Sequence, residues 1–437
     1  MNRASARSGP RWAREAVVSL AFAGCAVAPS GCAGKKAAVA ASDAQREHAR
    51  ADARCSAWAD WDRYAEAFIE ADGRVVDRTA GARTTSEGQA YALALALVAG
   101  DRARFSAVLH WTDVNLAGAA LGERLPAWLW SSGPKGFAIA DANAASDADL
   151  WLAWALLEAG RLWNEPRYEA LGDRLLIQVR TLEIVDLPGL GLALLPAPHG
   201  FLSPEAPSAD AGSTAARVAR LNPSYVPLPL LRRFADRDPR GPWSALAQSW
   251  DRLLHDAAPN GLVPDWIAQS SSAGVFVDPV SGSVGSYDAI RTILWAAFID
   301  EADPLRASWQ RSTRGLADWY RATGRIPERV DTRAPAPSKD GSASAGSVDS
   351  RGLSGHEGPP GFWAAILPSL AAQGDVGGVA ALRERLEHSR GPSGNFGEPA
   401  AYYDQNLALF ALGFLDGAFR FSRDGRLQPR WTSCAQP

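Results

Sequence analysis

Six segments of this chain are apolar around almost the whole helical circumference: residues 88–99, 147–159, 224–234, 288–299, 361–372 and 405–419. Alternating with them are six segments that carry one apolar stripe and one charged face, at 57–70, 104–117, 166–182, 243–256, 305–322 and 376–388. A helix that is hydrophobic all round needs neighbours on every side, whereas a striped helix buries one face and leaves the other wet. Strict alternation of the two kinds predicts an all-α (α/α)6 barrel, six inner helices inside a ring of six outer ones. An open helical solenoid is the alternative, and it would carry a clearer sequence repeat. Hydrophobic residues make up 47% of the chain, enough for one large core, so residues 55–437 are read as a single domain. The connections add small β-hairpins. Leu125–Asp141 predicts a short strand pair, and Phe419–Trp431 a hairpin about Asp424-Gly425. Residues 203–220 and 334–358, rich in Ser, Ala, Pro and Gly, are expected to be mobile surface insertions.

The N-terminal residues 1–36 are read as a signal peptide: Arg3, Arg7, Arg11 and Arg14 precede the apolar run Ala16–Ala28, which is too short to span a bilayer. Phe22-Ala23-Gly24-Cys25 and Pro29-Ser30-Gly31-Cys32 each loosely resemble a lipoprotein processing site. A periplasmic or secreted protein is expected, touching a membrane only through such an N-terminal lipid. Residues 37–54 read as a linker. The remaining cysteines, Cys55 and Cys434, stand at opposite ends of the folded region in what would be an oxidising compartment. A disulfide tying the terminal helices together is expected, the alternative being two unpaired thiols. Six scattered His and no C-x-x-C predict no metal site, and no cofactor is expected. A net charge of −3 argues against nucleic acid, since phosphate binding needs a basic surface. Seventeen Trp beside one Met is more than core filling needs, and flat indole faces suit sugar rings.

Polar clusters mark the starts of four of the inner helices: Thr84-Thr85-Ser86-Glu87-Gly88-Gln89, Ser146-Asp147-Ala148-Asp149, Asn222-Pro223-Ser224-Tyr225 and Gly285-Ser286-Tyr287-Asp288. Ser146 with Asp149 three residues on has the form of a capping box. Taken alone, Asp147 and Asp149 need do no more than cap the helix and complement its dipole. If the inner helices run parallel, however, these starts gather at one rim. Carboxylates brought together there among Trp and Tyr suggest an acid/base pair in a sugar-binding cleft.

The stretch Ala145–Trp163 resembles a signature of the glycoside hydrolase family 8 endoglucanases: Ala, Ser or Thr, Asp, Ala or Gly, Asp, two free positions, Ile or Met, Ala, and a closing aromatic. Leu152 replaces the usual Ile or Met. TTSEGQAYAL, LPAWLW, LNPSYVPLPLL, GSYDAIR and AYYDQNLALF extend the resemblance from about Trp58 to Trp431. It is strongest to the periplasmic cellulases that accompany bacterial cellulose synthesis.

The resemblance implies Glu87 as general acid, holding a proton at neutral pH for the leaving oxygen, and Asp288 as general base, polarising a water on the opposite face of the sugar. Tyr225 would help hold that water. Arg291, one turn after Asp288, would pair with it and keep it ionised. Asp147 would grip the distorted sugar between the two, and Asp149 would be structural. Trp128, Trp130, Tyr402 and Tyr403 are candidate stacking platforms, and Glu123-Arg124 candidate contacts to sugar hydroxyls. Trp151, Trp154 and Trp295 are read as core.

An inverting single displacement is implied, with the two carboxyls about 6.5–9.5 Å apart to admit the water. The expected partner is a β-1,4-glucan (cellulose) chain cut internally by a monomer, with the cellulose synthase complex as a further partner. The alternatives within the family are xylanase, chitosanase and lichenase. Outside it stand a non-catalytic envelope glycan-binding protein and a polysaccharide lyase of the same barrel class, although no His cluster supports a lyase.

Overall fold

The computed structural model describes residues 58–204, 217–334 and 356–434. The expected signal peptide, the linker, Cys55 and most of both insertions lie outside these residues. Outer and inner helices follow one another in pairs. They are α1 (Ala59–Phe68) with α2 (Ser86–Ala99), α3 (Arg102–Trp111) with α4 (Ser146–Trp163), and α5 (Pro166–Leu182) with α6 (Leu228–Arg237). Next come α7 (Trp243–Ala257) with α8 (Ala289–Ala297), then α9 (Arg306–Thr313) and α10 (Gly315–Thr323) with α11 (Pro360–Ala372), and α12 (Val376–His388) with α13 (Tyr402–Leu415). A short α14 (Arg430–Cys434) follows.

Each inner helix packs on the next, α2 on α4, α4 on α6, α6 on α8, α8 on α11 and α11 on α13, and α13 packs back on α2. The ring is closed, so the fold is the (α/α)6 barrel and not a solenoid, whose ends would stay apart.

Burial follows the two patterns in the sequence. On α2 every residue from Gly88 to Val98 is buried, and on α4 every residue from Ser146 to Gly160. Outer α5 buries a single stripe, Tyr168, Gly172, Leu175, Leu176 and Val179. Tyr91, Trp151, Trp295 and Phe410, one from each of α2, α4, α8 and α13, meet in the barrel interior; the Trp151–Trp295 centroids lie 5.1 Å apart and those of Tyr91–Phe410 5.4 Å. Trp151, Trp154 and Trp295 are each 1% exposed and belong to the core as expected.

Three local expectations are corrected. The outer segment 305–322 is two helices, broken where Gly315 meets the loop after α7. Gly315 N donates to Gly261 O at 2.8 Å, and a Cβ on Gly315 would come within 2.7 Å of that backbone. The capping box on α4 does not form. Ala145 is the N-cap, Ser146 lies inside the helix with its Oγ unpartnered, and Ser146 N donates instead to Pro196 O at 3.0 Å. Packing of the helix start on that loop replaces the local cap. Finally, residues 202–204 and 217–221 are not wholly a surface insertion. They are strands β6 (Leu202–Pro204) and β7 (Arg217–Leu221), which pair with β8 (Ile267–Ser270) and β9 (Gly274–Val277) in one antiparallel sheet.

The hairpin at Leu125–Asp141 is present as β2 (Leu129–Gly133) and β3 (Gly136–Asp141), with β1 (Thr84–Thr85) on its edge. The C-terminal hairpin pairs β10 (Phe419–Phe421) with β11 (Leu427–Pro429). Its turn needs glycine: Gly425 has φ +73°, a Cβ there would sit 1.9 Å from Pro229 O, and its own carbonyl accepts from the Trp154 indole at 3.0 Å.

The same hairpin is anchored by a buried charge. Glu158, 0% exposed on α4, accepts from Arg233 Nε on α6 at 2.6 Å and from Leu427 N at 2.7 Å. Glu158→Ala would leave Arg233, itself buried, without its main counter-charge, at a cost of about 3–5 kcal/mol. Denaturant midpoints at unchanged m-value would measure it. A loss below about 1 kcal/mol, the scale of an exposed pair, would mean that Asp236 alone satisfies the arginine.

Candidate active site

All six inner helices present their N-terminal ends to one cleft of about 640 Å³. Its lining includes Ser86 and Glu87 from α2, Asp147 from α4, Asp288 and Arg291 at the start of α8, and Tyr402, Tyr403 and Asp404 from α13. Tyr225 enters from the 3-10 turn Pro223–Tyr225 ahead of α6, and Pro359 stands just before α11. Helix N-termini carry partial positive charge, so this rim favours carboxylates over any other side of the barrel.

Arg291 is the hub. Its side chain is 3% exposed and holds three acids at once. Nη1 donates to Glu87 Oε2 and to Asp147 Oδ2 at 2.9 Å, while Nη2 donates to Asp288 Oδ1 at 2.6 Å. Nη1 also points at Tyr91 OH, 3.4 Å away, and the guanidinium carbon lies 5.5 Å from the Tyr225 ring centroid. Glu87 and Asp288 therefore sit on different nitrogens of one planar group.

Burial pushes the Glu87 carboxyl up to about 7, against the pull of Arg291 and with the like charges of Asp147 and Asp288 adding to the rise. Asp147 is raised as well by burial, opposed by Arg291 and by the Ala148 N–H that it accepts at 2.8 Å. Glu87 is thus an acid that still carries a proton near neutrality, in the same cleft as Asp288. Such a pair can protonate a leaving oxygen from one side and activate water from the other.

The aromatic candidates divide. Trp128 lines the cleft; its indole N–H donates to Asp141, and its carbonyl accepts from Ser86 N at 3.0 Å, tying it to the start of α2. Tyr402 OH lies 3.4 Å from Glu87 Oε1 as a donor, and Thr85 Oγ1 is 3.2 Å from the same hydroxyl. Tyr403 OH donates to Tyr287 O at 2.6 Å, leaving its ring at the cleft wall. Trp130 does not line this cleft; it packs edge-on against Trp111 at 5.7 Å. Glu123 and Arg124 are exposed away from it. Asp149, two residues beyond Asp147, points into the protein and is 0% exposed.

Two acids of the site carried no role in the sequence reading. Asp265 precedes β8 and caps α8 from outside: its Oδ1 accepts from Ser286 N at 2.7 Å, Asp288 N at 3.1 Å and Ala289 N at 2.8 Å. Nothing local to Pro264-Asp265-Trp266 marks it as the cap of a helix that starts more than twenty positions later. Asp404 stands inside the AYYDQNLALF motif and was legible there as an acid in the first turn of a buried helix. It accepts from Gly361 N at the start of α11, and burial pushes it up to about 7.

The chain matches the family model "Glycosyl hydrolases family 8" over residues 44–334. It is 41% identical over 387 residues to an endoglucanase of Xanthomonas axonopodis pv. citri, covering 88% of this chain and 92% of that protein. To the endoglucanase of Escherichia coli K12 it is 37% identical over 376 residues, 86% of this chain and 91% of the relative. Among solved structures, the endo-1,4-D-glucanase from Vibrio fischeri superposes with a TM-score of 0.74 at 35% identity, covering 86% of this chain and all of that one.

Proposed function

The chain belongs to glycosyl hydrolase family 8 and is a glycoside hydrolase, and from that premise we propose that it is an endo-β-1,4-glucanase working by inverting single displacement. Glu87 is the general acid and Asp288 the general base. Asp147 grips the sugar at the cleavage point, Tyr225 helps hold the attacking water, and Trp128, Tyr402 and Tyr403 line the glucan path. The observation that carries this reading is the cluster of Glu87, Asp147 and Asp288 on Arg291 at the shared rim of the inner helices. Inversion needs room for a water between acid and base, and it is the motif resemblance of Glu87 and Asp288 to an acid and base pair that supports it. The names of the relatives support a glucan as substrate.

The test is product analysis with the purified protein on carboxymethylcellulose, xylan and chitosan, with the anomer followed by NMR. The expected result is short cello-oligosaccharides released as the α-anomer. First release of the β-anomer would overturn inversion, and cleavage of xylan or chitosan alone would overturn the glucan. The pH dependence gives a second check. Because Glu87 must be protonated to act and its carboxyl sits at about 7, kcat/KM is expected to fall by about tenfold per unit above that value. An alkaline limb near the ordinary range of an exposed glutamate would remove Glu87 from the role of acid.

The basic and then apolar N-terminal residues support export to the periplasm, with a Cys25 or Cys32 lipid as a variant of that route. Cys55 and Cys434 form the proposed disulfide, which an oxidising compartment would favour. Within it the enzyme would trim nascent cellulose beside the cellulose synthase complex. The motif resemblance to cellulases of that setting is what supports this role.

A further inference from the structure

Asp149 on α4 and Glu183 at the end of α5 are both 0% exposed, and neither takes part in the chemistry above. Their carboxyls meet side chain to side chain. Among the described residues no other donor reaches any of the four oxygens. Charged carboxylates only accept hydrogen bonds, so two fully buried carboxyls in contact need a proton on one of them. The charged group that acts on both is Asp147, whose repulsion opposes any further loss of that proton.

The surroundings give the contact a purpose. From Glu183 the chain runs through β4 (Ile184–Leu187) and returns by β5 (Gly191–Leu194), where Leu195 N donates to Glu183 O at 2.8 Å. One residue on, Pro196 O accepts from Ser146 N at 3.0 Å. The first turn of α4 is thus tied to this hairpin twice, once by backbone and once by the acid pair, and Asp147 stands between the two ties.

We propose that Asp149 and Glu183 share a single proton and act as positioning residues, locking the first turn of α4 to the β4–β5 hairpin so that Asp147 stays in reach of Arg291. The catalytic consequence rests on the hydrolytic reading of the cleft; the shared proton stands on the packing alone.

Burial, with Asp147 adding to it, holds both carboxyls well above the usual range. A carboxyl raised in this way binds a proton in the folded chain that the unfolded chain has released above about 4. The contribution of the pair to stability is therefore greatest below that pH and declines as pH rises toward its folded value.

The full-length protein tests this with infrared difference spectra at mildly alkaline pH, read in the carbonyl-stretch window of protonated carboxyls. Wild type and Glu87→Gln are expected to keep a band that Asp149→Asn and Glu183→Gln each lose. An amide N–H replaces the shared proton, so both amide variants should hold kcat/KM within roughly threefold of wild type, the scale of a replaced hydrogen bond. Their melting temperature should also decline less with rising pH. Asp149→Ala supplies no hydrogen and should lower kcat by roughly thirtyfold, as expected for an uncompensated buried carboxyl. Survival of the band in both amide variants would overturn the proposal, as would an Asn variant as impaired as the Ala variant. If Asp149→Ala does not fold, the spectra of the amide variants decide. An inactive wild type that retains the band would sink the hydrolytic reading and leave the shared proton standing.

Discussion

Glu87→Gln is expected to lower kcat on carboxymethylcellulose by about 10³-fold, within the range of a lost general acid, while leaving fold and sugar binding in place. The amide keeps the size of the acid and can still meet Arg291 and Tyr402, so the loss isolates the proton. The role can be separated from a structural one by changing the leaving group. A dinitrophenyl glycoside needs little protonation on departure, and the variant should cleave it with a far smaller defect than it shows on the polymer. Near wild-type hydrolysis of the polymer would remove Glu87 from the mechanism. An equal loss on both substrates would make it a binding or positioning group. Since Glu87 is partly buried beside two like charges, replacing it with a neutral side chain is also expected to stabilise the cleft slightly, most at alkaline pH, where the wild-type carboxyl must ionise.

Arg291→Ala is expected to abolish turnover and to destabilise the protein by about 3–5 kcal/mol, because Glu87, Asp147 and Asp288 would then share one cavity with no counter-charge. The sign with pH is fixed by the acids. Without the guanidinium they are driven to protonate, so the stability defect should be largest at alkaline pH and shrink as the medium becomes acidic enough to neutralise them. Denaturant melts at an acidic and an alkaline pH measure the difference. A defect independent of pH would mean that the guanidinium serves packing alone. Arg291→Lys should rescue only in part. Lysine offers one compact charge, and a single ammonium cannot reproduce the fork that seats Glu87 and Asp288 on separate nitrogens.

Most of the fold was legible because a continuously buried helix and a striped one leave different marks in sequence. Gly88–Val98 and Leu150–Gly160 have no polar face to give to water, and alternation with striped helices leaves few ways to cover them. The core role of Trp151, Trp154 and Trp295 followed from the same periodicity. The break at Gly315, the docking of Ser146 on Pro196 and the sheet built on β7 were not legible, because each depends on what the neighbouring chain presents rather than on the residues themselves.

By itself the sequence determined which side chains would stand at the starts of the inner helices, since helix phase and capping chemistry are local. Glu87, Asp147, Tyr225 and Asp288 were named from those starts and their motifs, with Arg291 one turn further on. Only the tertiary structure decided what these residues meet. Closure of the ring brings α2, α4 and α8 to one point, so that Arg291 serves Glu87 and Asp147 as well as Asp288. The same closure buries Glu87 enough to carry its carboxyl to about 7, sends Trp130 to Trp111, brings Asp265 under α8 and sets Asp149 against Glu183. The physical reason is one of range. Hydrophobic phase is written residue by residue, whereas desolvation and charge pairing depend on distances across the barrel, which exist only once the ring has closed.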